Sequence, residues 1–411
     1  MPDYRIALCF SDTGGGHRSA TDAIEAAMSE LKSLNLRGNH FEIIREALPE
    51  KSHPINRGFV ELYNFLLRHN QGMMKYYYQF IQATKPNDSP LGYVLVGNYL
   101  ERFIKEKQPD IMVSVHPMCN QYIVRALNRM GLRDRIKFVI VLTDPNNDLW
   151  KGWACPEADL TIVPNRLARD KLIAWGVPAT KIKILGMPVH PDFVKPPSVS
   201  RFDFRKHLGL NPETLTMCLN AGWAGGGNMM SIYRSLKEIK RPVQAIFLCG
   251  HNQDLYERAQ EEALSAPVPT AVLPFHDRMS DLMAAVDLMV TKAGGLTTFE
   301  AIARRLPMAI DMITQPMPQE QGTIDILVHQ KLAQQVKRPD DIVAIVENFA
   351  PNMDRRNTKL PTAYHLDRAG AVYDISRTIM AFCDSSYQVN EPSEPYYLDA
   401  AGGASFKAVG Q

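Results

Sequence analysis

Short apolar runs alternate along the chain with segments whose apolar positions recur every three or four residues. The first run is "YRIALCF", rich in strand formers. Behind it, "HRSATDAIEAAMSELKSL" places Ala20, Ala23, Ile24, Ala27, Met28 and Leu31 at helical spacing. The runs "DIMVSVHP", "IKFVIVLTD", "LTIVPN" and "IKILGMP" predict further buried strands, with helices over Gln121–Met130 and Arg166–Trp175 between them. From Pro191 to Pro212 the periodicity breaks, and "PDFVKPPSVSRFDFRKHLGLNP" reads as an interdomain connection with a short helix. A second alternating series then gives strands at "LTMCLNAGW", "VQAIFLCG", "PTAVLPF", "DLMVTKAG" and "LPMAIDM". Strands that alternate with helices build parallel sheets covered on both faces. The expected fold is therefore α/β, with two Rossmann-like doubly wound halves facing across a cleft. These are residues 1–192 and 193–364, joined by a linker at about 193–212. "RAGAVYDISRTIMAFC" predicts an amphipathic helix within 365–384, and 385–411 reads as a flexible tail. Ligands in such folds bind at the carboxyl ends of the strands.

Composition narrows the function classes. A length of 411 residues exceeds one ordinary core, in keeping with two domains. Lys plus Arg number 46 against 44 Asp plus Glu, so no overall field attracts nucleic acid, and an anionic ligand needs a local site. The six cysteines have no paired spacing, which points to reduced thiols in a cytosolic protein rather than a disulfide framework or a zinc site. No apolar run approaches the ~18 residues of a spanning helix. The expected location is cytoplasmic, with attachment to a membrane surface left open.

Three glycine-bearing strand-to-helix turns are the candidate chemistry. In "SDTGGGHRSA", Gly15 and Gly16 let a ligand approach the main chain, and the following helix offers free N–H groups. His17 in its first turn faces the same space, where the helix dipole favours a neutral imidazole able to take a proton. The turn lacks the third glycine of a dinucleotide fingerprint and has no GK[ST]. "NAGWAGGGNMM" supplies a second loop, with Gly222, Gly225, Gly226 and Gly227. In "TKAGGLTTFEAIARR", Gly294 and Gly295 precede a helix expected to start near Thr297, and Glu300 one turn in can accept hydrogen bonds from paired ribose hydroxyls. The same residue is equally a dipole-stabilised helix-start glutamate. Gln319, Glu320 and Gln321 supply groups suited to sugar hydroxyls, or form a solvated polar loop.

One stretch bears on a second ligand. "RGFVELYNFLLRHNQGMMKYYYQFIQ" places Phe59, Leu62, Tyr63, Leu66 and Leu67 on one helical face, with Tyr76 and Phe80 beyond and Arg57, Arg68 and Lys75 nearby. Such a basic, aromatic stripe suits a lipid headgroup layer, and equally packs on its own domain. His116 in "SVHP" either lines the same pocket or is a hydrogen-bonded core histidine.

These motifs, taken in order from "SDTGGGHRSA" through "SVHP", "VLTD", "ILGMPVHPDF" and "KAGGLTTFEA" to "PMPQEQGT", resemble the GT-B glycosyltransferases of family 28. That family holds monogalactosyldiacylglycerol synthases, bacterial diacylglycerol glucosyltransferases and MurG-type enzymes. The resemblance implies an acceptor-binding amino half, a UDP-sugar-binding carboxyl half and a C-terminal helix returning to the amino half. It implies transfer of galactose or glucose with inversion to diacylglycerol, on the inner face of a membrane where anionic lipid is a further partner. Glu300 would hold the ribose, and Gln319 with Glu320 the sugar. Lys292 and the Gly222–Gly227 loop would lie near the diphosphate, with Gly294, Gly295 and Thr297 at the adjoining helix start. Phe275 and His276 would lie near the uracil. His17 is the first candidate for the base, with Asp12 or Asp144 as substitute or orienting group. No Asp-x-Asp triplet occurs, so neither a catalytic metal nor a cofactor is expected. The chain departs from the galactolipid branch at "KAGGLT", "PQEQGT" and Trp223, which leaves the sugar's identity open. Other expectations compatible with these motifs are transfer to another lipid or small acceptor, a sugar-nucleotide epimerase or hydrolase, and a non-catalytic sugar-nucleotide sensor.

Overall fold

The computed structural model describes residues 4–383 apart from 34–39, 70, 147, 317, 350–367 and 369, and omits the side chains of 69, 71, 75, 82, 318 and 319. Two six-stranded sheets, every neighbouring pair parallel, make up the two halves. The first contains β1 (Tyr4–Phe10), β2 (Phe41–Ala47), β3 (Ile111–Ser114), β4 (Lys137–Val141), β5 (Leu160–Val163) and β6 (Ile182–Ile184), in the order β2-β1-β3-β4-β5-β6. The second contains β7 (Leu215–Asn220), β8 (Val243–Leu248), β9 (Thr270–Leu273), β10 (Leu288–Thr291), β11 (Met308–Asp311) and β12 (Ala333–Val336), in the order β12-β11-β10-β7-β8-β9.

The central strands are short and continuously apolar because helices cover both their faces. β3, β7, β8 and β10 are buried at every position. Strand order reverses between β1 and β3 and again between β7 and β10. A crevice opens at such reversals, because the flanking connections leave the sheet in opposite directions. The loops that follow three of these strands carry His116, Trp223 and Lys292, and the helix that follows the loop after β1 carries His17 in its first turn.

β2 and β12 have no counterpart among the strands expected from the sequence. Both form the outer edge of their sheet, with mixed burial along their length. Half-exposed edge strands tolerate the charges in "FEIIREA" and the glutamines in "AQQV", so no continuous apolar run marks them. The linker holds the expected short helix, Arg201–His207, capped by Ser200. Its buried Arg205 anchors it to the second half through Asp287 at 2.7 Å and the carbonyls of Ala285 and Pro212. The C-terminal helix Ala371–Cys383 packs on the first helix, Gly16–Ser33, where the Tyr373 hydroxyl donates to Glu30 at 2.8 Å. The tail from 385 lies outside the described residues.

Candidate active site

The loop after β1 is built for close approach. Gly15 has φ of +83°, a left-handed conformation natural to glycine, and a Cβ placed there would stand 2.8 Å from Cγ of Trp223. The two glycine loops of the two halves therefore pack on one another, with the Trp223 ring over Gly15. Gly15→Ala is expected to cost about 1–2 kcal/mol from backbone strain alone. A lowered urea midpoint measures this, and adding Trp223→Ala should recover only the steric part.

His17 is the second residue of the helix Gly16–Ser33. Its Nδ1 lies 2.8 Å from the Val115 carbonyl, which can only accept, so Nδ1 carries the proton and Nε2 keeps its lone pair. Burial pushes the imidazole below its usual pKa, against the opposing pull of the Asp144 charge and the Val115 carbonyl. This is the expected direction, with burial as its leading cause. His116 stands edge-on to His17, with ring centroids 4.3 Å apart. The Met118 N–H donates to its Nδ1 at 3.2 Å, so its Nε2–H points at the Thr13 hydroxyl, 3.0 Å away. It is buried, and burial pushes its imidazole well below the usual value, with repulsion from His17 adding to this whenever that ring is protonated.

Of the two aspartates considered beside His17, only Asp144 stands there. Its carboxyl is raised by burial, while His17 and the indole N–H of Trp153, at 2.6 Å, pull it down. Asp12 is turned out of the cleft. Its carboxylate is clamped by Arg18, and its main-chain N–H is held by Glu50. That ion pair commits its carboxylate to Arg18 and removes it from the acid–base group.

A cavity of about 240 Å³ lies between the halves, and both contribute to its walls. The first supplies Gly15, Gly16, His17 and Asp144; the second supplies Gly222, Lys292, Gly294, Gly295, Thr297, Glu300 and Glu320. The helix expected near Thr297 starts at Gly295 and runs to Ala303. Glu300 is buried, and burial alone raises its carboxyl to about 7. Among the described residues its carboxylate has no hydrogen-bond or ion-pair partner, so its acceptor capacity is unspent. Lys292 is lowered by burial and held up by the charges of Glu320 and Asp311. Gly225 and Gly227 do not face the cavity. A Cβ on Gly227 would stand 2.6 Å from the Lys292 stem, so that glycine makes room for the lysine. Gln319 opens the helix Pro318–His329, and its side chain lies outside the described residues.

A second hollow of about 380 Å³ adjoins this one across Trp223 and Glu300, and Phe275 and His276 line it. His251, absent from the sequence-based candidates, stacks on Phe275 with ring centroids 4.2 Å apart and meets Trp223 edge-on. Its signal was present: like His17, it follows a glycine just past a strand.

A third cavity, about 410 Å³ and larger than these two, belongs to the first half. His17, His116 and Asp144 stand at one end, and its walls include Tyr63, Tyr77, Tyr78, Phe59, Phe80 and Leu91. The helix Pro54–His69 does not present the five expected residues together. Phe59 and Leu62 are exposed with Phe65, Leu66 is half-buried, and Tyr63 and Leu67 turn inward toward Gly14. Tyr76 is exposed. Arg68, expected at a lipid surface, instead donates to the Ala224 carbonyl at 3.0 Å and ties this helix to the second glycine loop. Leu91 and Val94, 75% and 68% exposed, extend the apolar rim from the helix Pro90–Lys107, which the sequence reading passed over.

Residues 17–189 match the family described as monogalactosyldiacylglycerol (MGDG) synthase, and residues 229–339 match the glycosyltransferase family 28 C-terminal domain. Its two halves thus carry, in order, a domain of each of these glycosyltransferase families on a GT-B fold. The chain is 28% identical over 384 residues to a probable monogalactosyldiacylglycerol synthase, chloroplastic, of Nicotiana tabacum, covering 91% of this chain and 70% of that one. In fold it is similar to the crystal structure of MurG from Acinetobacter baumannii, with a TM-score of 0.52 at 14% identity over 93% of this chain and 99% of that one. A UDP-GlcNAc 2-epimerase from Neisseria meningitidis, solved bound to UDP-GlcNAc, has the same general fold, with a TM-score of 0.55 at 12% identity over 92% and 99% of the two chains. The GT-B glycosyltransferase expectation thus stands.

Proposed function

We propose that this glycosyltransferase moves a hexose, galactose or glucose, from a UDP-sugar to the free hydroxyl of diacylglycerol, with inversion, at the cytosol-facing surface of a membrane. The observation that carries the reading is that one interlobe cavity holds His17 and Asp144 from one half together with Lys292, Glu300 and Glu320 from the other. His17 also opens onto the larger cavity, whose walls are mainly apolar. In this reading the acceptor hydroxyl gives its proton to Nε2 of His17 as its oxygen bonds to the anomeric carbon, and the bond from that carbon to the diphosphate oxygen breaks. The Lys292 ammonium and the free N–H groups at Gly295 take up charge on the departing UDP, so no metal is invoked. Glu300 accepts the ribose hydroxyls, Glu320 with Gln319 the sugar hydroxyls, and the Phe275–His276 side takes the uracil. The likeness to monogalactosyldiacylglycerol synthases supports diacylglycerol as acceptor.

The deciding experiment offers UDP-galactose, UDP-glucose and UDP-N-acetylglucosamine in turn to the protein with diacylglycerol vesicles and a chelator, and separates the lipid products. A glycolipid made from a hexose donor is expected. UDP release or sugar isomerisation without lipid would overturn the reading in favour of a hydrolase or epimerase, and tight donor binding with no turnover would favour a sensor.

Among the described residues no helix is long and apolar enough to cross a membrane. Membrane contact in this reading comes from the exposed Phe59, Phe80 and Leu91, which line the larger cavity, and from Leu62, Phe65 and Val94, exposed on the same helices as Phe59 and Leu91. Burying one large aliphatic side chain contributes roughly 1.5–3 kcal/mol. Leu91→Asp with Val94→Asp is therefore expected to weaken vesicle binding by about tenfold or more, in a sedimentation assay, with donor affinity unchanged.

A further inference from the structure

The proton transfer proposed above asks more of Asp144 than proximity, and one neighbour of that carboxylate has no role yet. Trp153 is fully buried and lies outside every motif singled out in the sequence. Its indole N–H donates to Oδ2 of Asp144 at 2.6 Å, and its ring centroid stands 6.2 Å from that of His17. The short helical turn Lys151–Trp153 that carries it is pinned from the helix Asn120–Arg129. Asn120 donates to the Gly152 carbonyl at 2.9 Å, and Gln121 donates to the carbonyls of Gly152 and Ala154. Burial pushes a carboxyl toward its neutral form unless something hydrogen-bonds the charged one, and Asp144, half-buried, is raised in that direction. Among the described residues the Trp153 indole is the donor Asp144 has.

We infer that Trp153 is a positioning residue for the base, its indole N–H holding Asp144 ionised so that the carboxylate can stabilise the imidazolium His17 becomes. The inference rests on the transferase reading. The reactive pair is ionised Asp144 with neutral His17, carrying one negative charge. Its other titratable or charged neighbours are His116 from the loop after β3, Tyr63 and Tyr78 from the aromatic helices, and Lys292, Glu300 and Glu320 across the cleft. One proton added to the pair, on either member, silences it. Without the indole donor that proton goes more readily to Asp144, so the pair is silenced at higher pH.

Trp153→Phe keeps an aromatic ring at the position and deletes the donor. The pH profile of kcat/KM for transfer is expected to move its acid limb upward by about one pH unit, with kcat reduced and donor KM unchanged. In an Asp144→Asn background the same change should leave the limb where it is. An acid limb unmoved by Trp153→Phe overturns the inference even if activity falls. A second measurement needs neither that variant nor any transfer assay. With the four tryptophans of the unaltered protein labelled with ¹⁵N, one indole resonance is expected to titrate on acidification and to stop doing so in Asp144→Asn. No titrating indole overturns the inference. Failure of transfer with every donor would instead count against the reading it rests on.

Discussion

Replacing His17 with alanine is expected to lower kcat for hexose transfer by about 100- to 10,000-fold, the range that a positioned general base contributes. Donor affinity should stay nearly unchanged, since the uridine-binding residues proposed here belong to the other half of the molecule. Three features give this prediction its size. The half-buried imidazole lines both the interlobe cavity and the apolar one, so it meets both substrates. Its Nδ1–H is committed to the Val115 carbonyl, which leaves the lone pair of Nε2 free. Burial keeps the ring neutral to a lower pH than an ordinary histidine, so the base form persists through the neutral range. Calorimetric titration with UDP beside steady-state turnover checks both halves of the claim. A variant that keeps more than about a tenth of the normal kcat would remove His17 from the base role.

The second large effect concerns Glu300. Glu300→Ala is expected to weaken UDP-sugar binding by about ten- to a hundredfold, because hydrogen bonds to a carboxylate contribute roughly 1.5–3 kcal/mol. The dependence on pH is the sharper signature. Burial alone raises the carboxyl to about 7. The ionised form accepts from two ribose hydroxyls, and the protonated form loses part of that capacity. Affinity is therefore full above about pH 7 and falls as pH drops through that value, by up to tenfold per unit. Glu300→Gln should bind weakly at every pH, with the slope abolished. A UDP-sugar is the ligand to use, since its diphosphate diester does not titrate near neutrality. Equal slopes for the parent protein and Glu300→Gln would take Glu300 out of the ribose site.

Much of this was legible in the chain itself, for an identifiable reason. The central strands lie between helix layers, so their sequences are unbroken apolar runs, and the turns that end them carry glycines because a ligand or a second loop comes close there. β2 and β12 escaped notice because a sheet's outer strands are only partly covered, and their charged and amide side chains break the run. The candidate site divides along the same line. His17, Lys292 and Glu300 sit on local motifs, strand then glycine then helix, and their positions follow from the backbone turn each motif makes.

What the linear pattern does not carry is which motif faces which. Asp12 and Asp144 look equally eligible in sequence, yet an adjacent arginine claims the first while burial and an indole hold the second beside the base. Arg68 looked like a headgroup-binding cation and instead bridges to the Ala224 carbonyl of the other half. His251 gains its place only by stacking on Phe275 from a different loop. Local sequence thus settled the strands, the turns and the chemistry available at each, because those depend on neighbours within a few positions. The docking of one half on the other decided which groups share a cavity, because contacts such as Gly15 with Trp223 join segments more than two hundred residues apart and leave no periodicity to read.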